Sequence, residues 1–283
     1  MDNIIKQIEA SAELDGIEEY RKKYFTYYNY NNNGVPRTTN IIKQCENQEA
    51  LIKWATRMGY KANNIRNKST VVGTAVHEKI ENYLKYLISG SSDTEDLYLP
   101  NEDYISDDYC RTIDIAYKNF KYWITRITNL GIRIEEIYAI ELTVITPWYG
   151  GTIDCIMKIN GAWYIVDFKT STSIVSSYFI QASAYMWAIN NGYLQGAPHI
   201  NGIGIIRVDK TQRGKFDDLF LNDFNPQDAL YIKLYQECFF SYLNAYYRSI
   251  NVNYITENYI DNYDIENVLK ENENEDNNRL LAS

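Results

Sequence analysis

Asn160-Gly161 sits between two runs rich in Ile, Val, Tyr and Trp, Ile153 to Ile159 and Trp163 to Phe168. Asn-Gly is the dipeptide that best tolerates the two positive φ angles of a type I′ turn, so the stretch reads as a β-hairpin. A two-residue loop fixes the register. Ile159 faces Ala162, Met157 faces Tyr164, and, counting outward, Asp154 falls opposite Asp167. Both carboxylates then share one face, with β-carbons roughly 4.5 to 5.5 Å apart, where like charges destabilise. Lys169, two residues beyond Asp167, projects to the same side. A hard divalent cation, Mg2+ above all, suits one or two carboxylates plus a substrate phosphate. The other reading is a solvated strand end whose charges keep an edge soluble. Val166 and Phe168, with Ile156 and Ile165, make both faces apolar, as in a strand covered on both sides, which favours a site.

The order of pieces around this hairpin resembles a known family. Gly151 to Asp154 reads G-T-I-D, and Val166 to Ser171 reads V-D-F-K-T-S. Upstream lie G-T-A-V-H at Gly73 to His77 and Glu141; downstream, Gln181 and Tyr185 form Q-x-x-x-Y. The set resembles the PD-(D/E)XK nuclease superfamily, in its RecB-like, phage-type exonuclease branch. Val35-Pro36-Arg37-Thr38-Thr39 loosely resembles the P-S-V-T-T-I-L entry of phage exonucleases and of the mitochondrial genome-maintenance exonuclease. A Thr N-cap opening a helix through Ile41, Ile42 and Lys43 explains the same residues without function.

The resemblance implies roles. Asp154, Asp167, Lys169, Glu141, Gln181 and Tyr185 are the expected catalytic group. His77, Asp154, Asp167 and the Phe168 backbone carbonyl are the expected ligands of Mg2+ or Mn2+. Thr170, Ser171, Arg207, Lys210 and Arg213 are candidate DNA contacts, the basic ones standing in what reads as a polar loop after a strand at Ile203 to Val208. Cys45, Cys110, Cys155 and Cys238 are too far apart for a C-x-x-C pattern or for the iron–sulfur cluster of some RecB-like nucleases, so no cluster is expected.

The 283 residues, 45% of them hydrophobic, suffice for one large domain with a real core. A net charge of −9 is unusual for a nucleic-acid enzyme and argues against non-specific duplex binding, so positive charge must be local. The 27 tyrosines and many Asn and Ile fit A·T-rich coding DNA, as in a phage or low-GC bacterium. The first residues carry acids and no apolar core of a signal sequence, and no run is long enough to span a bilayer, so a soluble, cytoplasmic protein with no membrane partner is expected.

Helical patterns cover Leu51 to Gly59, where Trp54 reads as core, and residues 71 to 88. In the latter Val72, Val76, Ile80, Tyr83, Leu84 and Leu87 form a buried stripe, and His77 and Glu81 are neighbours on one face. A lone helical His is ordinarily a packing residue; the resemblance reverses that weighting. Glu78 and Glu81 read as solvated. Ser89 to Pro100 reads as a loop, and a long helix follows to Asn129 and Gly131. Its aromatics Tyr117, Phe120, Tyr122 and Trp123 fit core packing better than base stacking. Ile134 to Val144 reads as a strand, Ser176 to Asn190 as a helix, and Pro226 to Ser249 as another.

The expected fold is α/β, a restriction-endonuclease-like mixed sheet flanked by helices, with added N- and C-terminal helices. Residues 1–70 read as a helical and extended region packed on the core, 71–256 as the nuclease core with a helical insertion at about 104–130, and 257–283 as an acidic, partly disordered tail. The expected function is a metal-dependent exonuclease at DNA ends, mainly single-stranded, in phage or bacterial DNA processing, recombination or repair, with phage or host replication proteins as further partners. A structure-specific endonuclease on the same core, and a catalytically silent DNA- or protein-binding relative, are the alternatives.

Overall fold

The computed structural model describes residues 5–6, 17–23, 28–89 and 107–262. Helix α1 (Ile17–Lys22) and a small hairpin, β1 (Tyr28–Tyr30) and β2 (Asn33–Val35), lead into α2 (Thr38–Cys45), α3 (Glu49–Met58) and α4 (Lys61–Ser89). Next come α5 (Asp107–Asn129) and strands β3 (Ile134–Ile145), β4 (Gly150–Ile159) and β5 (Ala162–Lys169). Helix α6 (Ser176–Asn190), β6 (Gly202–Val208), β7 (Phe216–Asn222) and α7 (Pro226–Asn262) complete the described chain.

Five strands form one mixed sheet ordered β3-β4-β5-β6-β7. Only β5 and β6 run parallel, and α6 is the crossover that a parallel pair requires. Helices cover both faces, which is why every residue of β6 is buried. On one face Ile153, Ile156, Ile165 and Ile205 pack with Phe179, Ala184, Phe239 and Phe240 of α6 and α7. On the other, Cys155, Met157, Val166 and Phe168 pack with Val76 and Ile80 of α4 and Phe120 and Trp123 of α5. The mixed sheet flanked by helices, with further helices at both ends, is the architecture the sequence predicts. Among the described residues no helix is long and apolar enough to cross a membrane.

The hairpin turn has Asn160 at φ 46 and Gly161 at φ 83, the paired positive angles of a type I′ turn. Its ladder runs in the expected register from Ile159↔Ala162 to Cys155↔Val166. The alternation of β4 then breaks. Ile153 and Ile156, three residues apart, join one core while Cys155 and Met157 join the other. The break falls on Asp154.

Several elements depart from the sequence reading. Helix α4 begins at Lys61, because residues 61–70 are polar and mostly exposed and show no apolar period. Strand β7, where the sequence shows no strand signal, carries Asp217 and Asp218 near its start, and both acids are used: Asp217 takes Arg207, and Asp218 takes the Trp123 indole N–H and Arg126. Helix α7 continues past Ser249 to Asn262. Trp54 is half-buried and joins neither core. Phe120 and Trp123 are core residues, whereas Tyr122 is exposed. Thr38 does not cap α2; it is buried and its hydroxyl donates to the Gly150 carbonyl at 3.0 Å. The expected loop at 90–100, most of the region before Tyr28 and residues 263–283 of the expected tail lie outside the described residues.

Candidate active site

The site forms where β4 and β5 emerge from the ladder and α4 crosses their ends. Gly73 of α4 faces Thr170, just beyond β5: a β-carbon there would stand 3.5 Å from Thr170 Oγ1, an ordinary contact. One turn later His77 points at β4, its Nδ1 3.5 Å from Asp154 Oδ2. The same Oδ2 accepts the Phe168 backbone N–H at 2.8 Å, so β4 and β5 remain tied by a side chain where the regular ladder has ended. In extended backbone a residue's N–H and C=O point to the same neighbour, so the Phe168 carbonyl also turns toward Asp154.

Glu141 completes the group from β3. Its φ is 51, a left-handed angle that costs a non-glycine residue roughly 1 to 3 kcal/mol and that clusters at functional positions. Donor atoms of His77, Glu141 and Asp154 lie within 4.8 Å of one another. Burial, then the charge of Asp154, raises the pKa of Glu141. These residues line a cleft of about 550 Å³ with Gly73, Thr74, Glu78 and Glu81.

Asp167 is turned differently from the expected opposed pair. It is 6% exposed, and Lys169 Nζ donates to its Oδ1 at 2.8 Å. Oδ2 is as close to the ammonium but out of line, and has no hydrogen-bond partner. Burial pushes the Asp167 carboxyl up; Lys169 opposes this and Asp154 adds to it. Burial works against the Lys169 ammonium, but Asp167 and Asp154 outweigh it and raise its pKa, keeping it charged. The ammonium lies 5.0 Å from the Tyr178 ring of α6, a cation–π neighbour the sequence does not announce.

Helix α6 brings Gln181 and Tyr185 together, with Gln181 Nε2 donating to Tyr185 Oη at 3.2 Å and the phenol within reach of the Asp167 charge. Tyr185 lies against Gly151, and burial pushes its phenol pKa up. The V-P-R-T-T segment arrives here as well: Arg37 bridges to Gly150, and Arg37, Thr38 and Thr39 share a cavity of about 210 Å³ with Tyr28, Gly151, Gln181 and Tyr185.

The candidate DNA contacts scatter. Thr170 borders the site; Ser171 Oγ donates to the Ser173 carbonyl within its own loop. Arg207 is a correction: it belongs to β6, is 1% exposed and binds Asp217, Asp209 and the Ser171 carbonyl, so it holds the loop and faces no ligand. Lys210 reaches Ser69 on α4, and Arg213 is exposed on the β6–β7 loop. Glu78 and Glu81, read as solvated, line the cleft, and Glu78 Oε2 is buried without a hydrogen-bond partner. Their place one and four residues after His77 was the available signal.

The donor set suits a divalent cation. Imidazole nitrogen and carboxylate oxygens are hard to borderline ligands, their charges crowd together, and the buried Glu78 Oε2 in the same cleft has no hydrogen-bond partner. No curated protein matches the chain. Among solved structures, one titled "Crystal structure of SSO0001" aligns at 10% identity and a TM-score of 0.26, covering 78% of this chain and 84% of that one, a likeness too low to carry an argument. The family model of the PD-(D/E)XK nuclease superfamily matches residues 50–237, a span that includes α4, α5, all five strands of the sheet and every residue of the cleft. The chain therefore belongs to the PD-(D/E)XK nuclease superfamily, whose members cleave nucleic acid with divalent metal ions.

Proposed function

We infer that the chain is a Mg2+- or Mn2+-dependent deoxyribonuclease that hydrolyses phosphodiester bonds from DNA ends, with single-stranded ends preferred. The observation that carries this is the convergence of His77, Glu141 and Asp154 within 4.8 Å beside the Asp167–Lys169 pair, in an open cleft on the sheet.

Each residue has a task. Asp154 is held by the Phe168 N–H and keeps one lone-pair direction toward the cleft. His77 and Glu141 close the ligand set from α4 and β3. A divalent ion held there would polarise the phosphate and lower the pKa of an attacking water. Asp167 orients Lys169, whose ammonium is a compact charge for the oxyanion that develops at phosphorus. Gln181 and Tyr185 support the same wall from α6. Phage or bacterial DNA processing, recombination or repair is the setting that the exonuclease reading fits.

The test uses 5′- and 3′-labelled single strands, linear duplex and closed circles, each with Mg2+, Mn2+ or EDTA. Shortening of linear strands with circles intact supports an exonuclease. Nicked circles replace that reading with an endonuclease, and absence of cleavage under every metal leaves a binding relative.

A further inference from the structure

Helix α3 and the first eleven residues of α4 lie outside both hydrophobic cores. Among the described residues, none from 49 to 71 belongs to either core or packs against one as a partly buried hydrophobic neighbour. They form a helical hairpin that turns at Gly59 (φ 55) and Tyr60, and Tyr60 is 86% exposed. In a chain of net charge −9, residues 49–71 carry five Lys or Arg against one acid. Lys53 and Lys68 have acidic neighbours, Glu49 and Asp108. Arg57, Lys61 and Arg66 are exposed.

The placement is directional. Arg66, Gly73 and His77 are seven and eleven residues apart, so they fall on one stripe of α4. At 1.5 Å per residue the stripe carries Arg66 about 16 Å from the His77 end of the cleft. Thr70 and Thr74 lie along it and are exposed. A second element joins alongside: Lys210, from the β6–β7 loop, donates to Ser69 of α4 at 3.3 Å. Its pKa is lowered by burial and by the neighbouring Lys68.

We propose that this hairpin and the β6–β7 loop form a cationic track that holds the phosphate backbone of single-stranded DNA and leads it along α4 into the cleft. The proposal rests on the nuclease reading above and adds the path by which substrate arrives. Charge complementarity selects a polyanion, and the exposed Tyr60 ring at the hairpin tip selects unpaired bases that can stack on it. The track would let an acidic protein hold DNA, since residues 49–71 carry five Lys or Arg against one acid.

The test is binding without turnover. Fluorescence anisotropy in EDTA measures binding of a labelled twenty-nucleotide oligothymidylate and of a blunt duplex of equal length, across a salt series. The triple variant Arg57→Gln/Lys61→Gln/Arg66→Gln is compared with wild type and with Arg133→Gln/Lys233→Gln, exposed cations elsewhere. Thermal melts confirm that each variant is folded. The triple variant should lose single-strand affinity by about tenfold or more at 0.1 M salt, and its log–log salt slope should flatten by about two, since each lost contact to a single strand removes about 0.7. The control should bind as wild type does. Equal binding by the triple variant, or wild type preferring duplex, overturns the track. Hydrolysis of thymidine 5′-monophosphate p-nitrophenyl ester by wild type reads the site alone. Cleavage of that ester with unaltered binding by the triple variant refutes the track and spares the nuclease. Lost binding in the triple variant with no cleavage by wild type under any metal does the reverse.

Discussion

The Tyr185 hydroxyl rests so closely against Gly151 that a methyl group on that residue would overlap both the hydroxyl oxygen and the ring. The contact fixes how far α6 stands from β4, and with it the position of the Tyr185 hydroxyl that accepts from Gln181. Gly151→Ala should therefore push α6 away and cost about 1 to 3 kcal/mol through overpacking. At about 2 to 4 °C per kcal/mol a thermal melt resolves this. Cleavage should fall with it, and an unchanged melting temperature would show that the contact is slack.

Asp167 lies between an attractive Lys169 and a repulsive Asp154, in a buried position. Asp167→Asn removes the repulsion and the cost of burying a charge, while Asp154 remains as a partner of Lys169. In EDTA this variant should melt no lower than wild type. Millimolar Mg2+ or Mn2+ should raise the melting temperature of wild type and of this variant by mass action, because His77, Glu141 and Asp154 remain, while Asp154→Asn should lose most of the shift. A scaffold salt bridge predicts the opposite, a loss of about 3 to 5 kcal/mol with or without metal.

Lys169→Ala should lower cleavage by roughly two to three orders of magnitude, the scale for removing one charge-stabilising donor from a transition state. Binding of DNA in EDTA should persist, because the ammonium faces Asp167 and Tyr178 and stands apart from the cationic helices. Lys169→Arg should not restore activity, since a planar fork does not replace a point charge in this space. Wild-type rates from the alanine variant at saturating metal would remove Lys169 from the reaction.

Asp209 organises the β6–β7 loop. Burial raises its pKa, but hydrogen bonds from the Thr211 hydroxyl, the Thr211 and Gln212 N–H groups and Arg207 more than reverse this and hold the carboxyl below its usual range. A depressed carboxyl contributes stability that is present above the unfolded value of about 3.9 and lost as pH falls through and below it. Asp209→Ala should cost about 0.5 to 1.5 kcal/mol at pH 7 by removing the hydrogen bonds that close the loop. The difference from wild type should shrink as pH falls below about 4. Denaturant melts at pH 7 and pH 3 check both halves, and a constant difference between them would contradict the assignment.

What the sequence determined is local or strongly periodic. Asn160-Gly161 dictates its own turn geometry, and that turn dictates the strand register as far as Cys155↔Val166. Helix α6 is bounded in sequence as in structure, because its apolar residues and small alanines leave no competing reading. The motifs named Asp154, Asp167, Lys169, His77 and Glu141 by order alone. Only the tertiary structure decided how these groups divide. Alternation breaks at Asp154, and the carboxylate joins His77 from a helix far away in the chain. Glu141 takes a left-handed angle to meet them, while Asp167 turns to Lys169. None of this follows from a period of two, because it depends on where α4 packs across the sheet. The same reason explains β7 and Arg207. The acids of β7 hide its strand pattern until Arg207 and Trp123 are seen to bond them, and Arg207 looks like a surface cation until the fold buries it between two carboxylates.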